Sequence, residues 1–195
     1  MEKKNYSLVS YLTGEEYKKV RDLQKKLSEI TGSQKCLVDW LPHITVGDGI
    51  IISDNDMQAV EKISQAFATS QKRVSANIKG FSGTENWKGA LDGKITPYVI
   101  WLEVEVNDEL LKLFNNLRDV LTSQYDAWLP RTVNYTPHIT IAFADLTQEG
   151  YRKGMDYLAT QKFETSFAIS HVALVESYGE GSMTSVEYKK FYLDK

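Results

Sequence analysis

A chain of 195 residues is long enough to bury one substantial core, or two small lobes that share one, but short for two independent domains. With 42% hydrophobic and 25% charged residues and only four prolines, its composition is that of a globular protein and excludes disordered and fibrous classes. A net charge of −3 excludes the broad basic field that holds long duplex nucleic acid through many phosphates, and leaves a small or terminal phosphate open as a ligand.

At the amino terminus the apolar run is brief and an acidic segment follows it, which argues against a signal peptide or membrane span and sets the expectation of a cytoplasmic protein. A single cysteine, Cys36, cannot form an internal disulfide and lacks the Cys/His company of a zinc site, so it reads as a small apolar residue.

In chain order, residues 5–12 alternate as a strand, and residues 13–30 carry Tyr17, Val20, Leu23, Leu27 and Ile30 at helical spacing. Residues 35–49 have strand character and end in a glycine-containing turn. An amphipathic helix over 53–71 follows, with Ser53 as its candidate N-cap, and then a strand over 73–81. The stretch 82–97 reads as a long loop or hairpin that retains Trp87 and Leu91. Beyond it come a strand (98–106), a helix (107–124) with Leu110, Leu113, Phe114, Leu117 and Leu121 on one face, a strand (133–146), a helix (147–161) and strands over 163–177 and 186–193.

The two halves, about 1–95 and 96–195, have the same order of elements, and each contains the tetrapeptide Pro-His-Ile-Thr: residues 42–45 and 137–140. Shifting by 95 positions superposes the two copies and carries Tyr17–Val20 onto Lys112–Asn115, also within a helix. The prediction is an α+β fold over 1–195, one bilobal domain with pseudo-twofold symmetry.

On a strand, His43 and Thr45 point one way while Ile44 and Val46 point the other, and His138 and Thr140 stand likewise against Ile139 and Ile141. Pro42 and Pro137, which cannot donate to a ladder, suit a strand start or edge. Two imidazoles of ordinary pKa near ~6.5, brought to one groove, can take a proton on one side of a phosphorus atom and give one on the other. Two threonine hydroxyls can donate to the non-bridging oxygens as charge builds. A metal site with Asp48 or Asp145 as further ligands is disfavoured, because no carboxylate sits at a matching offset in both copies. His171 lacks a threonine two residues on and has no counterpart in the first half, so it is placed outside the site. Lys72, Arg73, Lys189 and Lys190 read as solvated surface charges.

"PHITV" and "PHITI" resemble the paired His-x-Thr/Ser-hydrophobic motifs of the two-histidine (2H) phosphoesterase superfamily, and most nearly its bacterial RNA 2′,3′-cyclic phosphodiesterase branch, often labelled 2′-5′ RNA ligase. The ending "ISHVALVESYGEGSMTSVEYKKFYL" is similar to that branch as well. The resemblance implies two lobes, each an antiparallel sheet with outer helices, around a central cleft. It implies His43 and His138 as the acid/base pair, Thr45 and Thr140 as phosphate contacts, and no metal or other cofactor. The expected substrate is a small nucleotide or RNA end, and the expected protein a monomer. This chain lacks the arginine that many members place right after the second motif. Arg131 could supply that charge or be a solvent-facing loop residue, and Tyr178 could stack on a base or be merely packed. The expected activity is metal-independent hydrolysis of a nucleotide phosphodiester: a 2′,3′-cyclic phosphate, a 2′-5′ linkage or a cyclic oligonucleotide. The alternative is a non-catalytic nucleotide or RNA-end binding module on the same fold.

Overall fold

Two alternations of burial set the strands and helices of the first half. The computed structural model describes residues 3–87, 96–122, 136–177 and 185–194. Strand β1 (Lys3–Tyr11) leads into helix α1 (Gly14–Thr31), which buries Val20, Gln24, Leu27 and Ser28 along one stripe. Gly32 ends it with φ of 79°, a left-handed conformation costly to any residue with a Cβ, and returns its N–H to the Ser28 carbonyl. A short helix α2 (Lys35–Asp39) precedes strand β2 (His43–Ser53), helix α3 (Met57–Ser70) and strand β3 (Val74–Thr84). In β3, Val74, Ala76 and Ile78 are buried while Ser75, Asn77 and Lys79 are exposed, the period of a half-buried strand.

The second half supplies β4 (Val99–Val104), α4 (Asp108–Thr122), β5 (His138–Ala142), α5 (Gln148–Leu158), β6 (Thr165–Ile169), β7 (His171–Ser177) and β8 (Ser185–Tyr192). The described strands form two antiparallel four-stranded sheets, ordered β2-β1-β7-β8 and β5-β4-β3-β6. Each motif strand is therefore an edge, and its neighbour is the strand that opens its own half. The third strand of each sheet comes from the other half, β7 in one and β3 in the other. Helices are exchanged in the same sense: α1 packs on β5 and α5, and α4 on β2 and α3. One hydrophobic cluster runs through both lobes and includes Leu8, Ile44, Ile100, Leu117, Ile139 and Leu174. No described helix is long and apolar enough to cross a membrane.

Three local expectations are corrected. Residues 35–39 are helical, and the strand expected over 35–49 begins only at His43. The apolar Cys36-Leu37-Val38 run looks extended locally, but tertiary partners hold both ends of a helix there. Ser53 ends β2 instead of capping a helix; its hydroxyl and N–H donate to Asp56 Oδ2 at 2.6 and 3.3 Å, and α3 starts at Met57. The strand expected over 163–177 is two strands, β6 and β7, which belong to different sheets and part at Ser170. The Ser170 carbonyl accepts from Leu193 N–H at 3.0 Å, in the register of the β7–β8 pairing, so the chain has already joined the other sheet there.

Helix α5 approaches α1 through glycines. A Cβ on Gly150 would stand 2.6 Å from the Thr31 carbonyl oxygen, and one on Gly154 would stand 2.8 Å from Ile100 Cδ1. Replacing a helical glycine by alanine ordinarily gains up to about 1 kcal/mol in propensity. At Gly150 the clash with backbone should outweigh that gain, so Gly150→Ala is expected to destabilise the protein by roughly 1–3 kcal/mol. The shift of the urea unfolding midpoint measures it, and an unchanged midpoint would refute this account of the α1–α5 contact.

Candidate active site

Both motifs are built in the same way from their prolines onward. The Pro42 carbonyl accepts the Leu12 N–H at 2.9 Å, and the Pro137 carbonyl accepts the Val104 N–H at 3.3 Å, so each chain entry is pinned to its neighbouring strand. Ile44 and Ile139 are fully buried and anchor the strands from behind. In one sheet His43 lies opposite Tyr11 and Thr45 opposite Val9; in the other His138 lies opposite Glu103 and Thr140 opposite Trp101. His43, Thr45, His138 and Thr140 are all half-buried.

His43 donates from Nδ1 to the Leu41 carbonyl at 2.8 Å, and His138 donates from Nδ1 to the Thr136 carbonyl, also at 2.8 Å. A carbonyl oxygen only accepts, so the proton in each bond belongs to Nδ1. Chemistry at either ring then falls to Nε2, as an acceptor when the imidazole is neutral and as a donor when it is charged.

The edge strands β2 and β5 approach one another, and an arc of aromatic rings links the histidines. Ring centroids step from His43 to Trp40 (5.4 Å), Trp40 to Phe143 (6.2 Å), Phe143 to Trp87 (6.0 Å) and Trp87 to His138 (6.0 Å). Trp101 lies 5.7 Å from His138, and Tyr11 lies 6.1 Å from His43. Cys36, Val99 and Ala144 pack with these tryptophans and Phe143 in a cluster separate from the main core.

Burial lowers the proton affinity of His43 below the ordinary histidine value; the Leu41 carbonyl works against that shift, and the nearby His138 adds to it. His43 is therefore neutral at pH 7. Tyr11 is pushed up to about 12, by burial first and then by the charge of Glu187, and stays a phenol. Burial, with Asp145 nearby, also pushes the Cys36 thiol up, so that it remains protonated and apolar in effect.

Of the remaining sequence candidates, Arg131 and Tyr178 lie outside the described residues, and Asp48 lies where side chains are not described. Asp145 is engaged at the start of α2, accepting Ser33 Oγ–H at 2.6 Å and the backbone N–H groups of Gln34 and Lys35 at 2.8 and 3.2 Å. Among the described residues no three His, Cys, Asp or Glu side chains gather as a metal site would require. Lys189 and Lys190 pair with Glu61 and Glu187. His171 is 3% exposed; it accepts the Tyr11 N–H at its Nε2 (3.4 Å) and stacks on Tyr11, one ring removed from His43. The aromatic arc was not legible in the motifs. Its one sequence signal was Trp40, three residues before His43.

A family model described as the 2′-5′ RNA ligase superfamily matches residues 39–181, a span that contains both tetrapeptides. The chain belongs to this superfamily. No curated protein matches it. Solved structures similar to this superfamily member include TT0787 of Thermus thermophilus, with a TM-score of 0.66 and 16% identity over 97% of each chain. E. coli LigT complexed with 3′-AMP has a TM-score of 0.65 and 15% identity over the whole of both chains. A protein described as a phosphoesterase has a TM-score of 0.63 and 14% identity, covering 98% of this chain and 99% of its own. At such identities the likeness is one of fold, and that fold is the bilobal α+β arrangement expected from the repeat.

His43 and His171 both hold their protons less tightly than in the unfolded chain, in each case chiefly through burial. Their contribution to stability is therefore present above about pH 6.5 and is lost as pH falls below it, because the unfolded chain then binds protons the native state resists. Tm should drop between pH 7 and pH 5. His171→Gln, which keeps an acceptor for the Tyr11 N–H, should make that drop shallower, and an equal slope in both proteins would contradict the assignment.

Proposed function

We propose that this protein is a metal-independent phosphodiesterase that hydrolyses a nucleotide phosphodiester by acid/base catalysis at His43 and His138. The observation that carries this reading is the matched pair of Nδ1–carbonyl bonds, which commits Nδ1 of each ring to being held, so that proton transfer falls to Nε2. His43 is the base: its lowered proton affinity keeps it neutral at working pH. Its Nε2 takes a proton from water as the water oxygen bonds to phosphorus. His138, as imidazolium, gives its Nε2 proton to the departing ribose oxygen as the P–O bond breaks. The Thr45 and Thr140 hydroxyls donate to the non-bridging oxygens, where negative charge grows. Exchange of one proton with solvent at each histidine restores the starting state.

Nucleotide chemistry is supported by the aromatic surroundings. Trp40, Trp87 and Trp101 offer ring faces of the kind on which bases stack. E. coli LigT has been crystallised with 3′-AMP, with ATP and with NADP+. The substrate classes that fit are 2′,3′-cyclic phosphates, 2′-5′ linked oligonucleotides and cyclic oligonucleotides.

Product analysis in the presence of EDTA, with these three classes offered to the wild type, His43→Ala and His138→Ala, tests the proposal. One class should be cleaved by the wild type, with turnover falling at least ~100-fold in either variant. Binding without any product would instead favour a module that recognises nucleotides or RNA ends. The pH–rate profile should be bell-shaped, its acid limb lying below pH 6.5 because protonating His43 removes the base. Trp40→Ala, which admits water to His43, should move that limb upward, toward the ordinary histidine value.

A further inference from the structure

The bond that orients His43 ends on a carbonyl whose own position needs explaining. Leu41 is 50% exposed and Val38 is 73% exposed, so their side chains do little to hold the segment before the motif. Helix α2 has only five residues, too few to persist without tertiary support.

Both ends of α2 are gripped from elsewhere. At its start the Asp145 carboxylate receives the N–H groups of Gln34 and Lys35 and the Ser33 hydroxyl. At its end the Arg21 guanidinium donates from Nη2 to the Leu37 carbonyl (2.8 Å) and from Nη1 to the Trp40 carbonyl (3.3 Å). Arg21 Nη1 also donates to Gln24 Oε1 at 2.8 Å, and Gln24, itself buried, donates from Nε2 to the Thr140 carbonyl at 3.4 Å. Asp145 lies just beyond β5, on a chain turned by Ala144, a non-glycine residue with φ of 71°. Both grips thus connect the approach to the first motif with the strand that carries the second.

We propose that Arg21 and Asp145 are positioning residues that hold the α2 segment so that the Leu41 carbonyl keeps His43 in its Nδ1–H tautomer, with Nε2 turned to the reaction. The catalytic value of this role rests on the two-histidine reading of the site; the tautomer does not. Fixing a proton acceptor to within a fraction of an ångström is worth one to two orders of magnitude in rate. Arginine suits the task because its fork reaches two carbonyls and a side-chain oxygen together, which a lysine ammonium cannot match in geometry.

The test uses protein labelled with 15N-histidine, whose three histidines give three sets of ring signals. At pH 8 the wild type should show His43 as a single Nδ1–H tautomer. In Arg21→Ala and in Asp145→Ala, His43 should become a mixture of tautomers while the His171 signals stay in place. With the substrate found by product analysis, kcat should fall about 10- to 100-fold with KM little changed, which a general loss of folded protein would not produce. Folded variants in which His43 keeps the wild-type tautomer would overturn the proposal. A tautomer change with kcat untouched would uphold the positioning and overturn the acid/base role of His43. Should the alanine variants not fold, Asp145→Asn and Arg21→Lys carry the same test. Each retains part of the grip, so a partial change is expected, and no change in either overturns the proposal.

Discussion

An imidazole has two nitrogens, and an acid/base catalyst must commit one of them to being held. In this protein the backbone does the holding: His43 and His138 each give the Nδ1 proton to the carbonyl two residues earlier. Strand pairing supports that bond from one side, because the carbonyl of the proline between acceptor and histidine is tied to the strand alongside, at Leu12 in one lobe and Val104 in the other. At His43 the α2 segment, held by Arg21 and Asp145, supports the bond from the other side, so in each lobe the ring is oriented by a backbone carbonyl.

Strand and helix exchange keeps the two motifs together. Each sheet combines strands from both halves of the chain, and α1 and α4 each pack beside the other half's motif strand. Separating the lobes would break sheet ladders and open the shared core, so the spacing of the motif strands is set by the same contacts that stabilise the fold. Edge strands are usually a hazard because their open hydrogen-bonding groups recruit other chains. β2 and β5 instead approach one another and flank the site.

The near-symmetry of the frame contrasts with what stands beside each histidine. Tyr11 and Val9 pair with the first motif where Glu103 and Trp101 pair with the second. In the proposed reaction, where one histidine takes a proton and the other gives one, such unequal surroundings are an advantage. Burial beside Trp40 and Tyr11 penalises charge on His43, which favours its neutral form. Tyr11 itself, held as a phenol, contributes shape and low polarity and no charge.

Much of this was legible in the sequence, and the divide follows the range of the interactions. The order of elements, the buried faces of α1, α4 and β3, and the doubled Pro-His-Ile-Thr are local: apolar periodicity reports which face is buried, and strand alternation puts each histidine and its threonine on one face. That residues 35–39 are a helix depends on distant contacts, since the Asp145 that holds its start lies 110 residues beyond Lys35. The same holds for the division of residues 163–177 between two sheets and for the arc in which Trp40, Phe143 and Trp87 join the two histidines. Those choices depend on which distant surfaces meet, and a residue's neighbours in the chain carry no record of that. Chemical groups and the faces they occupy follow from the order of residues; their mutual distance, tautomer and proton affinity come from packing, because dielectric surroundings and hydrogen-bond partners exist only once the lobes have closed on each other.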